Sequence, residues 1–72
     1  MKLNEYLERK GIKVEYDGGY FCNCLYKGKE ICIMKNSGIT NTYALYINHK
    51  TIMTKGLLRT CVGKILNLKE SE

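Results

Sequence analysis

Apolar residues recur along the chain at two periods, and the changes of period mark the elements. Leu3, Tyr6 and Leu7 fall at helical spacing, which predicts a short helix over Lys2 to Lys10. Gly11 then suits a left-handed cap, with Ile12 placed to touch Leu7 as in a Schellman ending. From Ile12 the period drops to two. Ile12, Val14 and Tyr16 alternate with Lys13 and Glu15, predicting a strand over Ile12 to Tyr16. Asp17-Gly18-Gly19 reads as a three-residue hairpin loop, setting Tyr16 opposite Tyr20, Val14 opposite Cys22 and Ile12 opposite Cys24. A second strand follows over Tyr20 to Lys27. Gly28-Lys29 fits a type II′ turn, which sets Tyr26 against Ile31 and Cys24 against Ile33. Beyond Met34 the segment Asn36 to Asn41 is a polar, glycine-containing loop. A fourth strand, Thr42 to Ile47, turns at Asn48-His49 into a short fifth, Lys50 to Met53. Helical spacing returns in Leu57, Leu58, Cys61, Val62, Ile65, Leu66 and Leu68, with Thr54 as a candidate N-cap. Arg59, Gly63, Lys64 and Asn67 fall on the opposite side of that helix.

These elements predict an α+β fold in the order α-β-β-β-β-β-α. An antiparallel meander of four to five strands carries an N-terminal and a C-terminal helix on one face, giving two layers in a single domain over residues 1–72. The covered face holds Ile12, Val14, Tyr20, Cys22, Cys24, Tyr26, Ile31, Ile33 and Leu45 or Ile47. The other face carries Lys13, Glu15, Phe21, Asn23, Leu25, Cys32, Met34, Ala44 and Tyr46. That set is more apolar than a solvated sheet face requires.

Seventy-two residues stand near the lower limit for folding without metals, disulfides or a partner. The apolar run of roughly 18 residues that a membrane span needs is missing. MKLNEYLERKG carries charges throughout and no apolar stretch, so a signal peptide is not expected and a reducing cytoplasm is. The net charge is +5 and unevenly spread. Between Ile31 and Lys69 there is no carboxylate, while Lys35, Lys50, Lys55, Arg59, Lys64 and Lys69 supply positive charge; carboxylates return at Glu70 and Glu72. Such a surface suits nucleic acid or an acidic partner. Few of the cations are Arg, which weighs against bidentate readout of bases.

Candidate chemistry is sparse. The four cysteines are Cys22, Cys24, Cys32 and Cys61. Structural zinc favours C-x₂₋₄-C knuckles, and a C-x-C on a strand lacks the turn that aims both thiolates at one point. Buried thiols acting as small apolar groups are the expected state, with no metal and no disulfide. Cys32 and His49 are the one conceivable nucleophile–base pair, but the sequence offers no orienting group or oxyanion hole for it. No phosphate-binding glycine pattern and no paired carboxylates are present, so no catalytic residue and no cofactor are expected.

Function is therefore expected on surfaces. Phe21, Leu25, Met34 and Tyr46 can form a protein interface, or Phe21 and Tyr46 can stack single-stranded nucleic acid. The bland readings are that a helix or the 36–41 loop covers them, or that a homodimer buries them. Gly63 in a helix interior costs up to about 1 kcal/mol relative to Ala. Beside Arg59 and Lys64, it suggests close approach of a partner.

The chain lacks Trp and Pro, is rich in Lys, Asn, Ile and Tyr, and closes on a hairpin-then-helix unit, Tyr43 to Lys50 followed by Leu57 to Leu68. In this it resembles the short accessory proteins of phages and prophages from low-GC bacteria, a set that includes anti-CRISPR inhibitors. The resemblance carries no functional residue with it. It implies a non-enzymatic inhibitor acting in the host cytoplasm, which blocks a nucleic-acid-handling defence complex by direct protein contact. The basic charge argues against a DNA mimic. The alternative is a small basic nucleic-acid-binding regulatory domain. The expected contact residues are Phe21, Leu25, Met34, Tyr46, Arg59, Gly63 and Lys64.

Overall fold

The computed structural model describes residues 2–37 and 41–69. The expected order holds: α1 (Leu3–Arg9), β1 (Lys13–Asp17), β2 (Phe21–Tyr26), β3 (Lys29–Lys35), β4 (Tyr43–Ile47), β5 (Lys50–Gly56) and α2 (Leu58–Leu66). The strands form one antiparallel sheet in sequence order, β1 to β5. No helix among the described residues is long and apolar enough to cross a membrane.

The end of α1 follows the Schellman pattern. Gly11 has φ +84°, and the amides of Gly11 and Ile12 donate to the carbonyls of Glu8 and Leu7, each at 3.1 Å. This directs Ile12 into the core against Leu7; both are essentially fully buried. Both helices lie on the same sheet face, α1 over β1 and β2, α2 over β4 and β5. Leu3, Leu7, Cys61, Val62 and Ile65 interlock there with Cys22, Cys24, Ile31, Ile33, Leu45 and Ile47.

Registers differ from expectation at three places, each for a local reason. The first hairpin closes one residue later than its glycines suggest. Asp17 Oδ1 accepts the Gly19 amide at 2.9 Å, and the Gly18 amide donates to the Phe21 carbonyl. Val14 therefore pairs with Cys24 and Asp17 with Cys22, and Glu15 becomes the extra residue of a bulge. The bulge carries Tyr16 onto the uncovered face, opposite Asn23, rather than onto the core face. Tyr20, also expected in the core, is exposed at the rim.

In the second hairpin the turn residues are Lys27 (φ 50°) and Gly28 (φ 75°), not Gly28-Lys29. Positive φ at both central positions makes this a type I′ turn, whose twist matches antiparallel strands better than the cost of a left-handed Lys opposes it. Cys24 thereby meets Ile31 and Cys22 meets Ile33. A shift of two residues leaves every side chain on its expected face.

The third difference is the length of β5. Asn48 (φ 50°) and His49 (φ 66°) form the turn, with the Asn48 side chain accepting the Glu30 amide at 3.0 Å. The strand then runs on to Gly56, which pairs with Tyr43. Thr54 is thus a strand residue, and its carbonyl is held by the Asn36 side chain at 2.8 Å. Leu57 stands at the N-cap of α2 without a side-chain cap. Of the Asn36–Asn41 loop, residues 38–40 lie outside the described residues, as do the carboxylates of Glu70 and Glu72.

Candidate partner-binding surface

The uncovered face is a grid of cross-strand rows. Phe21, Met34 and Ala44 form one row; Asn23, Cys32, Tyr46 and Thr51 the next; Lys13, Leu25 and Glu30 the third. Among the described residues no element packs over it. Phe21, Leu25, Met34 and Tyr46 are nevertheless half-buried, not prominent. The Phe21 ring rests on Gly18, where a Cβ would overlap it. Tyr16 and Tyr20 flank that ring, with centroids 5.8 and 5.1 Å away. These two tyrosines, 58% and 60% exposed, are the prominent aromatic groups of the surface. Sequence periodicity assigns them to the core because the Glu15 bulge has no signature in alternation. The usable signal is the bracketing of Gly18-Gly19 by three aromatic residues.

Beside the tyrosine–phenylalanine cluster lies an open depression of about 580 Å³ bordered by Glu15, Asn23, Glu30, Cys32, Tyr46 and His49. It brings Cys32 and His49 to one place, yet the pair is not poised for catalysis. His49 Nε2 is 2.8 Å from Glu30 Oε2, and both side chains are largely exposed, so this contact contributes little to stability. Cys32 makes no hydrogen bond to His49 among the described residues, and burial raises its thiol pKa above 9.0. A thiol held protonated is a poor nucleophile.

The other three thiols sit in the core, where Cys24 follows the C-x-C alternation from Cys22 on the helix-bearing face. Burial, with the Asp17 carboxylate adding to it, pushes Cys22 up to about 11. Burial, reinforced by its thiol neighbours, pushes Cys24 to about 12. Among the described residues no three His, Cys, Asp or Glu side chains gather as metal ligands would.

Arg59, Gly63 and Lys64 stand apart from this surface. They lie on the side of α2 away from its buried residues Cys61, Val62 and Ile65, on the helix layer of the molecule. The expected contact residues thus divide into two sets on opposite sides of the sheet. One flat partner surface cannot touch both. No protein-family model, curated protein or solved structure matches the chain.

Proposed function

We propose that this chain is a non-enzymatic binding protein that blocks a partner protein through its uncovered sheet face. A phage-type inhibitor of a host nucleic-acid-handling complex, acting in the cytoplasm, is the kind of protein this reading describes. The observation that carries it is the row structure of that face, with Phe21, Leu25, Met34 and Tyr46 uncovered and Tyr16 and Tyr20 standing at its rim. Aromatic and methionine side chains are favoured at interface centres, and a helix layer covers only the opposite face.

Size adds a constraint. Five strands spaced about 4.8 Å apart and about five residues long present roughly 300–400 Å² of flat face. A standard interface takes about 800 Å² per partner. The contact must therefore spill over the rim, where Tyr16 and Tyr20 project. The test is affinity capture from nuclease-treated bacterial lysate, with the captured protein then titrated directly. Tyr46→Ala with Leu25→Ala should weaken binding at least about thirty-fold, as loss of interface anchors does. Unchanged affinity in a folded double variant would reject the reading.

A further inference from the structure

The second set of expected contact residues belongs to a different surface with its own chemistry. Asn48 ties the β4–β5 turn to Glu30, and Lys27 Nζ of the β2–β3 turn donates to the Leu68 carbonyl at 3.0 Å. The end of α2 therefore returns to the sheet end where β5 begins, so α2 runs antiparallel to β5. This places Lys55 and Arg59 near one end of a flank and Lys50 and Lys64 near the other. By register Lys50 lies on the helix-bearing face, opposite Ile47. All four cations are exposed, and none makes an ion pair among the described residues. Between them stand exposed Thr60 and Asn67, the uncharged hydrogen-bonding types that accompany lysine at phosphates.

Gly63 lies in the middle of this flank, one helical turn from Arg59 and from Asn67. A Cβ there would meet nothing within 4 Å, and its φ is not left-handed, so neither packing nor backbone geometry in this chain requires glycine. A bare backbone patch between cations lets an external group come closer than any side chain would allow.

From these observations we infer that the β5–α2 flank binds the phosphate backbone of duplex nucleic acid, without base readout and independently of the uncovered sheet face. Charge complementarity selects a polyanion. The absence of an exposed aromatic ring on the flank disfavours single strands, which bind by stacking. Five residues of strand separate Lys50 from Lys55, about 17 Å. That is about five base-pair steps of 3.4 Å rise along the duplex axis.

The experiment is fluorescence anisotropy of a labelled 16-base-pair DNA duplex against the full chain, over a series of KCl concentrations. Four phosphate contacts predict a slope of log K against log salt of about −3.6. Arg59→Ala with Lys64→Ala should halve that slope, and Arg59→Lys with Lys64→Arg should restore it. Leu25→Ala with Tyr46→Ala should leave it unchanged. Gly63→Ala should weaken duplex binding while raising thermal stability, a combination that a purely structural role would not give. No binding at 50 mM KCl, or an unaltered slope in a folded Arg59→Ala/Lys64→Ala variant, overturns the inference. So does equal or tighter binding of a dT oligonucleotide of the same length. Displacement of the duplex by poly-glutamate at equal charge concentration would overturn it in favour of an acidic protein.

Discussion

Replacing Gly18 by Ala tests how the uncovered face is built. The Phe21 ring lies directly on Gly18, and an added Cβ would overlap two ring atoms and stand 2.7 Å from a third, Cδ1. The backbone of Gly18 is not in the left-handed region, so alanine meets no intrinsic backbone strain there. The clash must be relieved by displacing the ring. Displacement forfeits its packing on Tyr16 and Tyr20. Each aromatic pair is worth about 0.5–1.5 kcal/mol beyond area burial, so Gly18→Ala should cost about 1–3 kcal/mol. Urea denaturation of four proteins (wild type, Gly18→Ala, Phe21→Ala and the double variant) separates this cause from others. Without the ring, the alanine methyl has nothing to strike, so Gly18→Ala should cost almost nothing in the Phe21→Ala background. The coupling energy should then approach the full cost of the single substitution. Additive costs would refute the reasoning and place the role of Gly18 in the backbone of the hairpin. The same geometry makes Phe21→Ala a structural lesion, so Leu25 and Tyr46 are the cleaner probes of binding.

Gly63→Ala should stabilise the fold by about 0.5–1 kcal/mol, because the helix gains propensity and the methyl meets open space. For a domain of this size that is a rise in Tm of at least about 2–4 °C, measurable by circular dichroism. Under native conditions iodoacetamide should modify Cys32 first and slowly, leaving the buried Cys22, Cys24 and Cys61 protected until denaturant is added; mass spectrometry after timed quenching reads this directly. The contribution of these thiols to stability should be constant well below pH 9 and decline above it. Unfolded thiols ionise near 9.0, while burial holds Cys22 protonated to about 11 and Cys24 to about 12, so the unfolded chain binds fewer protons in that window. Each such thiol contributes a loss of about 1.4 kcal/mol per pH unit, and denaturation midpoints at pH 8, 9 and 10 check it.

The helices and the faces of the central strands were legible because their determinants are periodic. Leu7, Gly11 and Ile12 specify the end of α1 locally, and Cys22, Cys24, Ile31 and Ile33 alternate without interruption. A register error of two residues at Lys27-Gly28 changed no face. The edge strands were less legible. Tyr16 left the core face through a bulge at Glu15, and β5 ran past Thr54 because Tyr43 and Asn36 offered partners from distant segments. Such bulges at sheet edges discourage strand-to-strand aggregation, a global requirement with no local periodic signal. The candidate surface divided likewise. Sequence alternation grouped Leu25, Met34 and Tyr46, but only the fold separates them from Arg59, Gly63 and Lys64 on the other layer.

The central claim, that the uncovered sheet face docks a protein, is tested most directly by calorimetric titration of the captured partner with wild-type chain, the Leu25→Ala/Tyr46→Ala variant and the Arg59→Ala/Lys64→Ala variant in nuclease-treated samples. The account predicts one-to-one binding for the wild type, a loss of at least about thirty-fold for the face variant, and little change for the flank variant. Equal binding by wild type and face variant, with binding lost instead in the flank variant, would contradict it.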